Sequence, residues 1–202
     1  MKLYYSPGAC SLSPHIALRE AGLAFELVKV DTKTHQLQDG SDYYTVNPKG
    51  SVPVLEIANG ERLTEGPAIV QYIADQVPAK NLAPANGTMP RYRLQEWLNF
   101  ITSELHKGFS PLFSSTTPDA TRASTKSRLG ERLAWVDGQL AHKEYLLGDG
   151  FTVADGYLFA VVNWSGHVGV DIAHLAHLQA FMARIAARPA VQEAMKAEGL
   201  LK

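Results

Sequence analysis

The sequence predicts a small α/β domain followed by an all-helical one, and three observations predict it. Before residue 80, short β-like runs alternate with helical stretches. The segment Val77–Gly87 is rich in Pro, Ala, Asn and Gly and suits a linker. Beyond Pro90 no convincing strand remains. In order, Lys2–Tyr5 is the first β-like run, and Ser6-Pro7-Gly8 breaks it. Leu12, Ile16, Leu18 and Ala21 then recur at helical spacing up to Gly22, with Ser11 or Ser13 suited to cap the helix and Pro14 to its first turn. Phe25–Val30, Val54–Ile57 and Arg62–Thr64 are further β-like runs, and Pro67–Gln76 is a second helix. In the second half, Leu94, Trp97, Leu98, Ile101 and Leu105 define one amphipathic helix, and Leu129, Leu133, Val136 and Leu140 another. Leu178, Phe181, Met182 and Ile185 define a late helix ended near Pro189. The domain boundaries expected are 1–80, a linker over 81–87, and 88–202.

Composition narrows the class. The chain has 202 residues, 46% hydrophobic and 19% charged, with a net charge of -1, which is ordinary globular material without an electrostatic footprint for nucleic acid. One cysteine rules out an internal disulfide framework. No apolar run reaches the roughly 18–20 residues of a membrane span, and the first residues do not read as a signal peptide. The expectation is a cytoplasmic protein acting on a neutral or acidic small molecule, with neither nucleic acid nor membrane as partner.

The single cysteine stands at an address that favours a reactive thiol. Cys10 lies between a β-like run and a helix start, where unpaired N–H groups and the positive end of the helix dipole favour thiolate over thiol. A lone cysteine is commonly just a small buried hydrophobe; the strand-turn-Cys-helix setting favours a nucleophile instead. Two nearby signals suit an anionic, peptide-like ligand. Thr64-Glu65-Gly66-Pro67 opens a helix whose amides are able to hold a carboxylate, while Glu65 is either a ligand for an ammonium group or merely a favourable first-turn charge. In Ser51-Val52-Pro53-Val54, a cis proline would expose the Val52 N–H and C=O to an extended peptide, in the manner of strand addition.

In the helical half, Asn99, Ser103 and His106 stand at i, i+4 and i+7 and predict a polar stripe beside the apolar face. Such a stripe usually faces solvent; turned to a cleft, His106 and Lys107 would hold a thiolate or move a proton. Thr152-x-x-Asp155 reads as a structural capping box before the apolar run Tyr157–Val162. His167, His174 and His177 form no metal-binding pattern.

Taken together, Tyr5…Ala9-Cys10-Ser11…Pro14, Asn47-Pro48-x-Gly50-x-Val52-Pro53, Leu63-Thr64-Glu65-Gly66, Glu104-Leu105-His106-Lys107-Gly108-Phe109 and Phe151-Thr152-Val153-Ala154-Asp155 resemble a bacterial cytosolic glutathione S-transferase of the beta class over essentially the whole chain. The resemblance implies a thioredoxin-like domain followed by an all-α domain, assembled as a homodimer, with glutathione as cosubstrate and no metal. It implies that Val52-Pro53 is a cis pair and that Cys10 is the class-defining cysteine, with His106 as the second catalytic residue. Val52, Pro53, Glu65 and Gly66 match glutathione-binding positions, and Asn99, Ser103, His106 and Lys107 match the helical-domain wall of the site. Tyr5 matches the tyrosine that other classes use to activate glutathione, a job this class does not give it. His35 is a departure, because relatives often carry there a lysine that contacts the glycine end of glutathione. Pro7–Pro14 and Leu82–Gly87 come near to the branch found in aromatic-pollutant degradation, where relatives dechlorinate ring-cleavage products. The second substrate implied is a small apolar electrophile, with Phe109, Pro111, Leu112, Phe113, Trp164 and His167 as pocket lining.

Overall fold

The computed structural model describes residues 1–148 and 150–201. The chain divides into two compact units, Met1–Ala83 together with the segment from Arg188 onward, and Pro84–Ala187.

The first unit is built on a five-stranded mixed sheet in the order β3-β2-β1-β4-β5. Its strands are β1 (Lys2–Tyr5), β2 (Glu26–Asp31), β3 (Gln36–Leu37), β4 (Val54–Glu56) and β5 (Arg62–Thr64). β1 runs parallel to β2 and antiparallel to β4, which places Tyr4 opposite Val54. Buried Tyr4, Val30, Tyr43 and Val54 form one core, with Val28, Leu37, Val46 and Val52 against it. Helix α1 (Leu12–Ala21) joins β1 to the parallel β2, and α2 (Gly66–Asp75) follows β5 and packs on α1. This is the thioredoxin-like arrangement that the resemblance implies. Helix α1 is buried at Leu12–Leu18 without a break, so Ser13 and His15 are interior residues rather than a solvent face.

The second unit is helical: α3 (Met89–Phe100), α4 (Lys107–Phe113), α5 (Asp119–Leu140), α6 (Val153–Val162), α7 (Trp164–Val168) and α8 (Ala176–Ala186). α3 and α4 are joined through a π-helical stretch at Ile101–His106. Every residue of α6 is buried, as expected of a helix apolar on all faces. Among the described residues no helix is long and apolar enough to cross a membrane.

Two features depart from the sequence reading. Pro189 does not simply end a helix: it opens another, α9 (Pro189–Ala197), as its first residue. That helix packs on α1, so the chain from Arg188 leaves the expected 88–202 domain and completes the first unit. β3, two residues long, escapes periodicity altogether.

Candidate functional site

Cys10 ends a tight turn that follows β1. The Ser11 hydroxyl holds that turn from inside, accepting from Ser6 N–H at 3.1 Å and donating to Ser6 O at 3.1 Å. Ser11 therefore occupies the N-cap position of α1 without capping it, and the buried Ser13 hydroxyl makes no hydrogen bond either. The other end of the turn is tied to the C-terminal segment. Gly8, at φ 70°, donates its N–H to Glu198 Oε2 at 2.9 Å. Glu198 Oε1 accepts from His15 Nδ1 at 2.8 Å, and both of these side chains are wholly buried. Arg19 Nε donates to His15 Nε2 at 3.4 Å; guanidinium only donates, so the His15 proton sits on Nδ1. Glu198→Ala would remove the buried carboxylate that accepts from both the Gly8 N–H and the imidazole N–H. We expect a loss of about 3 kcal/mol in urea unfolding, and a loss under 1 kcal/mol would contradict this role.

Facing the turn is the loop before β4, where Val52-Pro53 is cis. The partly buried Cys10 Sγ–H donates to Val52 O at 3.3 Å, so the thiol stands against the backbone that the sequence singles out for a peptide ligand. The Tyr5 hydroxyl titrates above its ordinary range, first because burial disfavours phenolate and then because Glu198 adds negative charge. That setting does not suit Tyr5 to activating a thiol by ionising.

At the start of α2, Glu65 is the N-cap residue, at φ 69° and ψ 111°. Its carbonyl accepts from Ala68 N and Ile69 N, both at 3.0 Å. Its exposed carboxylate accepts from Lys49 Nζ at 2.6 Å, and Lys49 also donates to Thr64 Oγ1 at 2.9 Å. Glu65 holds this positive-φ backbone without a side-chain capping bond to the helix. Gly66, the first helical residue, has open space where a Cβ would stand. His35 is partly buried, and its Nδ1 donates to Gly50 O at 3.1 Å.

In the second unit the predicted stripe divides. Asn99, Ser103 and Lys107 are exposed, and Ser103 Oγ donates to Asn99 O at 3.0 Å. His106 turns inward: its Nδ1 lies 2.7 Å from the hydroxyl of buried Tyr157, and its ring meets Trp164 edge-on at 5.0 Å. The cause is the π-helical stretch, whose wider turns shift His106 off the face that an unbroken 3.6-residue period assigns it. Phe109 and Phe113 also contact the Trp164 ring edge-on, at 5.8 and 5.4 Å. Of the expected pocket lining, Phe109 and Leu112 are buried core, Phe113 is half-exposed and His167 is exposed. Pro111 lines a separate cavity of about 230 Å³ with Ser103, Glu104 and Lys107. Glu104 bridges to Arg128 and Arg132 of α5 at 3.1 and 2.9 Å, and the bond from Arg128, followed by that from Arg132, holds its carboxyl below the usual range.

Residues 1–75 match the family described as glutathione S-transferase, N-terminal domain, and residues 100–189 the corresponding C-terminal domain. The chain is 48% identical over 200 residues to glutathione S-transferase GstA of Escherichia coli O157:H7, spanning 99% of this chain and 100% of that one. The chain belongs to the glutathione S-transferase family. It is a transferase whose resemblance to the beta class holds: a Sphingomonas chungbukensis glutathione S-transferase of that class superposes with TM-score 0.96 at 50% identity, over 100% of both chains. BphK, a bacterial glutathione S-transferase solved as a ternary complex, superposes with TM-score 0.97 at 60% identity, over 99% of this chain and 100% of that one.

Three residues that bond to candidate positions, or to the turn that carries Cys10, escape sequence reasoning. Tyr157 reads as part of an apolar run, and only its 2.7 Å contact shows that it orients His106. Lys49 carries no signal beyond its place in the Asn47–Pro53 motif, and Glu198 carries none. Among the described residues, no group of three His, Cys, Asp or Glu is gathered in a way that would hold a metal ion.

Proposed function

We propose that this glutathione S-transferase binds glutathione along its first unit and joins its sulfur to small apolar electrophiles, halogenated products of aromatic degradation among them, with a second activity in thiol-disulfide exchange or dehalogenation through Cys10. The observation that carries the reading is Cys10 Sγ at 3.3 Å from the Val52 carbonyl, beside a cis Val52-Pro53 bond. A cysteinyl residue that pairs with the Val52 backbone as an added strand brings its own sulfur to Cys10. The γ-glutamyl end then lies at Glu65 and Gly66: its carboxylate takes the amides that open α2, and its ammonium takes the Glu65 carboxylate in place of Lys49.

In conjugation, the glutathione thiolate attacks the electrophilic carbon, a C–S bond forms, and the leaving group departs with the electron pair of its bond, as halide when the substrate is an aryl halide. In exchange, the Cys10 thiolate attacks a glutathione mixed disulfide and expels the other thiol as thiolate. A second glutathione thiolate then attacks the Cys10–glutathione disulfide, which regenerates Cys10 and releases glutathione disulfide. Ser13 stands where a dithiol motif would carry its resolving cysteine, so glutathione has to resolve the adduct. His106, held by Tyr157, is assigned the proton-handling role. Asn99, Ser103 and Lys107 are assigned to the helical wall of the site, and the Trp164 ring cluster to electrophile binding. Assembly as a homodimer in the cytoplasm belongs to the same reading.

The test is retention on glutathione-agarose followed by turnover of 1-chloro-2,4-dinitrobenzene and of a glutathione mixed disulfide. Retention with turnover of at least one is expected. Failure to be retained, or retention with no turnover of either, would overturn the assignment.

A further inference from the structure

In the loop before Pro53, three consecutive carbonyl groups each accept a hydrogen bond from a side chain of the first unit. His35 Nδ1 donates to Gly50 O at 3.1 Å. Tyr43 O–H and Asn47 Nδ2 donate to Ser51 O at 2.9 and 2.7 Å. Cys10 Sγ donates to Val52 O at 3.3 Å. A carbonyl only accepts, so the His35 proton is fixed on Nδ1. The imidazole also lies against Tyr44, ring centroids 4.7 Å apart. Both rings close on Gly50, where an added Cβ would stand 2.8 Å from Tyr44 Cε1 and 3.1 Å from the His35 ring. His35 reaches this place from a left-handed backbone, φ 54°, a conformation uncommon outside glycine and best tolerated by Asn, Asp and His.

We propose that His35 is a positioning residue, one that fixes through the Gly50 carbonyl the backbone presenting Val52 to glutathione and does not itself hold the glycine carboxylate. The inference rests on the reading that glutathione pairs with Val52. It reassigns a position where the resemblance implies direct contact with the ligand. The chemistry separates the two roles, because a positioning residue acts on every ligand that uses Val52, whereas a carboxylate ligand acts only on those that carry the carboxylate.

The experiment measures KM, kcat and thermal midpoint for the full chain and for His35→Ala, His35→Asn and His35→Lys, with glutathione and with its glycine ethyl ester as cosubstrates. His35→Ala is expected to raise KM by the same factor for both, roughly three- to tenfold, the worth of one hydrogen bond, with kcat within about twofold. His35→Asn places an N–H donor at the same branch point and tolerates the left-handed backbone, so it is expected to restore both KM values to within about twofold of the parent. His35→Lys lacks that donor and is expected to behave like His35→Ala. The inference is overturned if His35→Ala weakens glutathione but not the ester, if His35→Lys binds glutathione more tightly than the parent, or if KM, kcat and thermal midpoint all decline and asparagine restores none of them. Should the parent chain bind neither cosubstrate, the reading of Val52 fails, and the inference falls with it before any variant is needed.

Discussion

Asp155→Ala is expected to cost the protein about 3 kcal/mol of stability at pH 7, and roughly 10 °C in thermal midpoint. The Asp155 carboxylate is wholly buried and accepts from Leu146 N at 2.8 Å, Thr152 N at 2.7 Å and Thr152 Oγ1 at 2.8 Å. It closes the capping box of α6, the helix buried on all faces, so truncation leaves these donors unpaired in the core and removes a cap together. The pH dependence checks the account independently. Burial, opposed by the three hydrogen bonds, pushes the Asp155 carboxyl up to about 6. A carboxyl raised in the native state binds its proton more tightly there than in the unfolded chain, so its contribution to stability is largest below about pH 4 and falls until about pH 6. The deficit of Asp155→Ala should therefore shrink between pH 4 and pH 6 and stay constant above. A deficit under 1 kcal/mol, or one independent of pH, would contradict the assignment.

Cys10→Ala is expected to abolish reduction of glutathione mixed disulfides, a loss of at least about a hundredfold, because the chain holds no other thiol to form the intermediate. The parent protein, treated with glutathione disulfide, should gain one reducible glutathione adduct by intact mass. Conjugation of an aryl halide separates two uses of Cys10. If it survives in Cys10→Ala, Cys10 is the redox nucleophile alone; if it falls in parallel, Cys10 also positions the glutathione sulfur. Disulfide reduction persisting in the variant would remove Cys10 from that chemistry.

What was legible in the sequence is whatever local pattern decides. The strand-turn-helix around Cys10 follows from apolar residues at Lys2–Tyr5, a Ser-Pro-Gly break and a 3.6-residue period, and the structure has β1 and α1 there. The Thr152–Asp155 cap is likewise local chemistry read from two residues. Long-range pairing was not legible. Nothing near Glu198 announces that its carboxylate meets Gly8 and His15, residues more than 180 positions away, because that contact exists only once α9 packs on α1. The stripe of Asn99, Ser103 and His106 divides for a different reason: the spacing argument assumes a uniform helix, and the π-helical stretch changes the rotation per residue at the positions concerned. In the sequence Cys10 and Val52 are tied only through the peptide-like ligand that both would serve and through the resemblance, since 42 residues separate them and neither carries a local pattern naming the other.

The central claim, that glutathione pairs with the Val52 backbone beside Cys10, is tested most directly by amide chemical-shift mapping. The ¹⁵N-labelled chain is titrated with ophthalmic acid, a glutathione analogue without a thiol. The largest perturbations are predicted at Val52, Cys10, Glu65 and Gly66, with the Val52 amide moving downfield as it gains an acceptor. Saturable binding that leaves Val52 and Gly66 unmoved would contradict the claim.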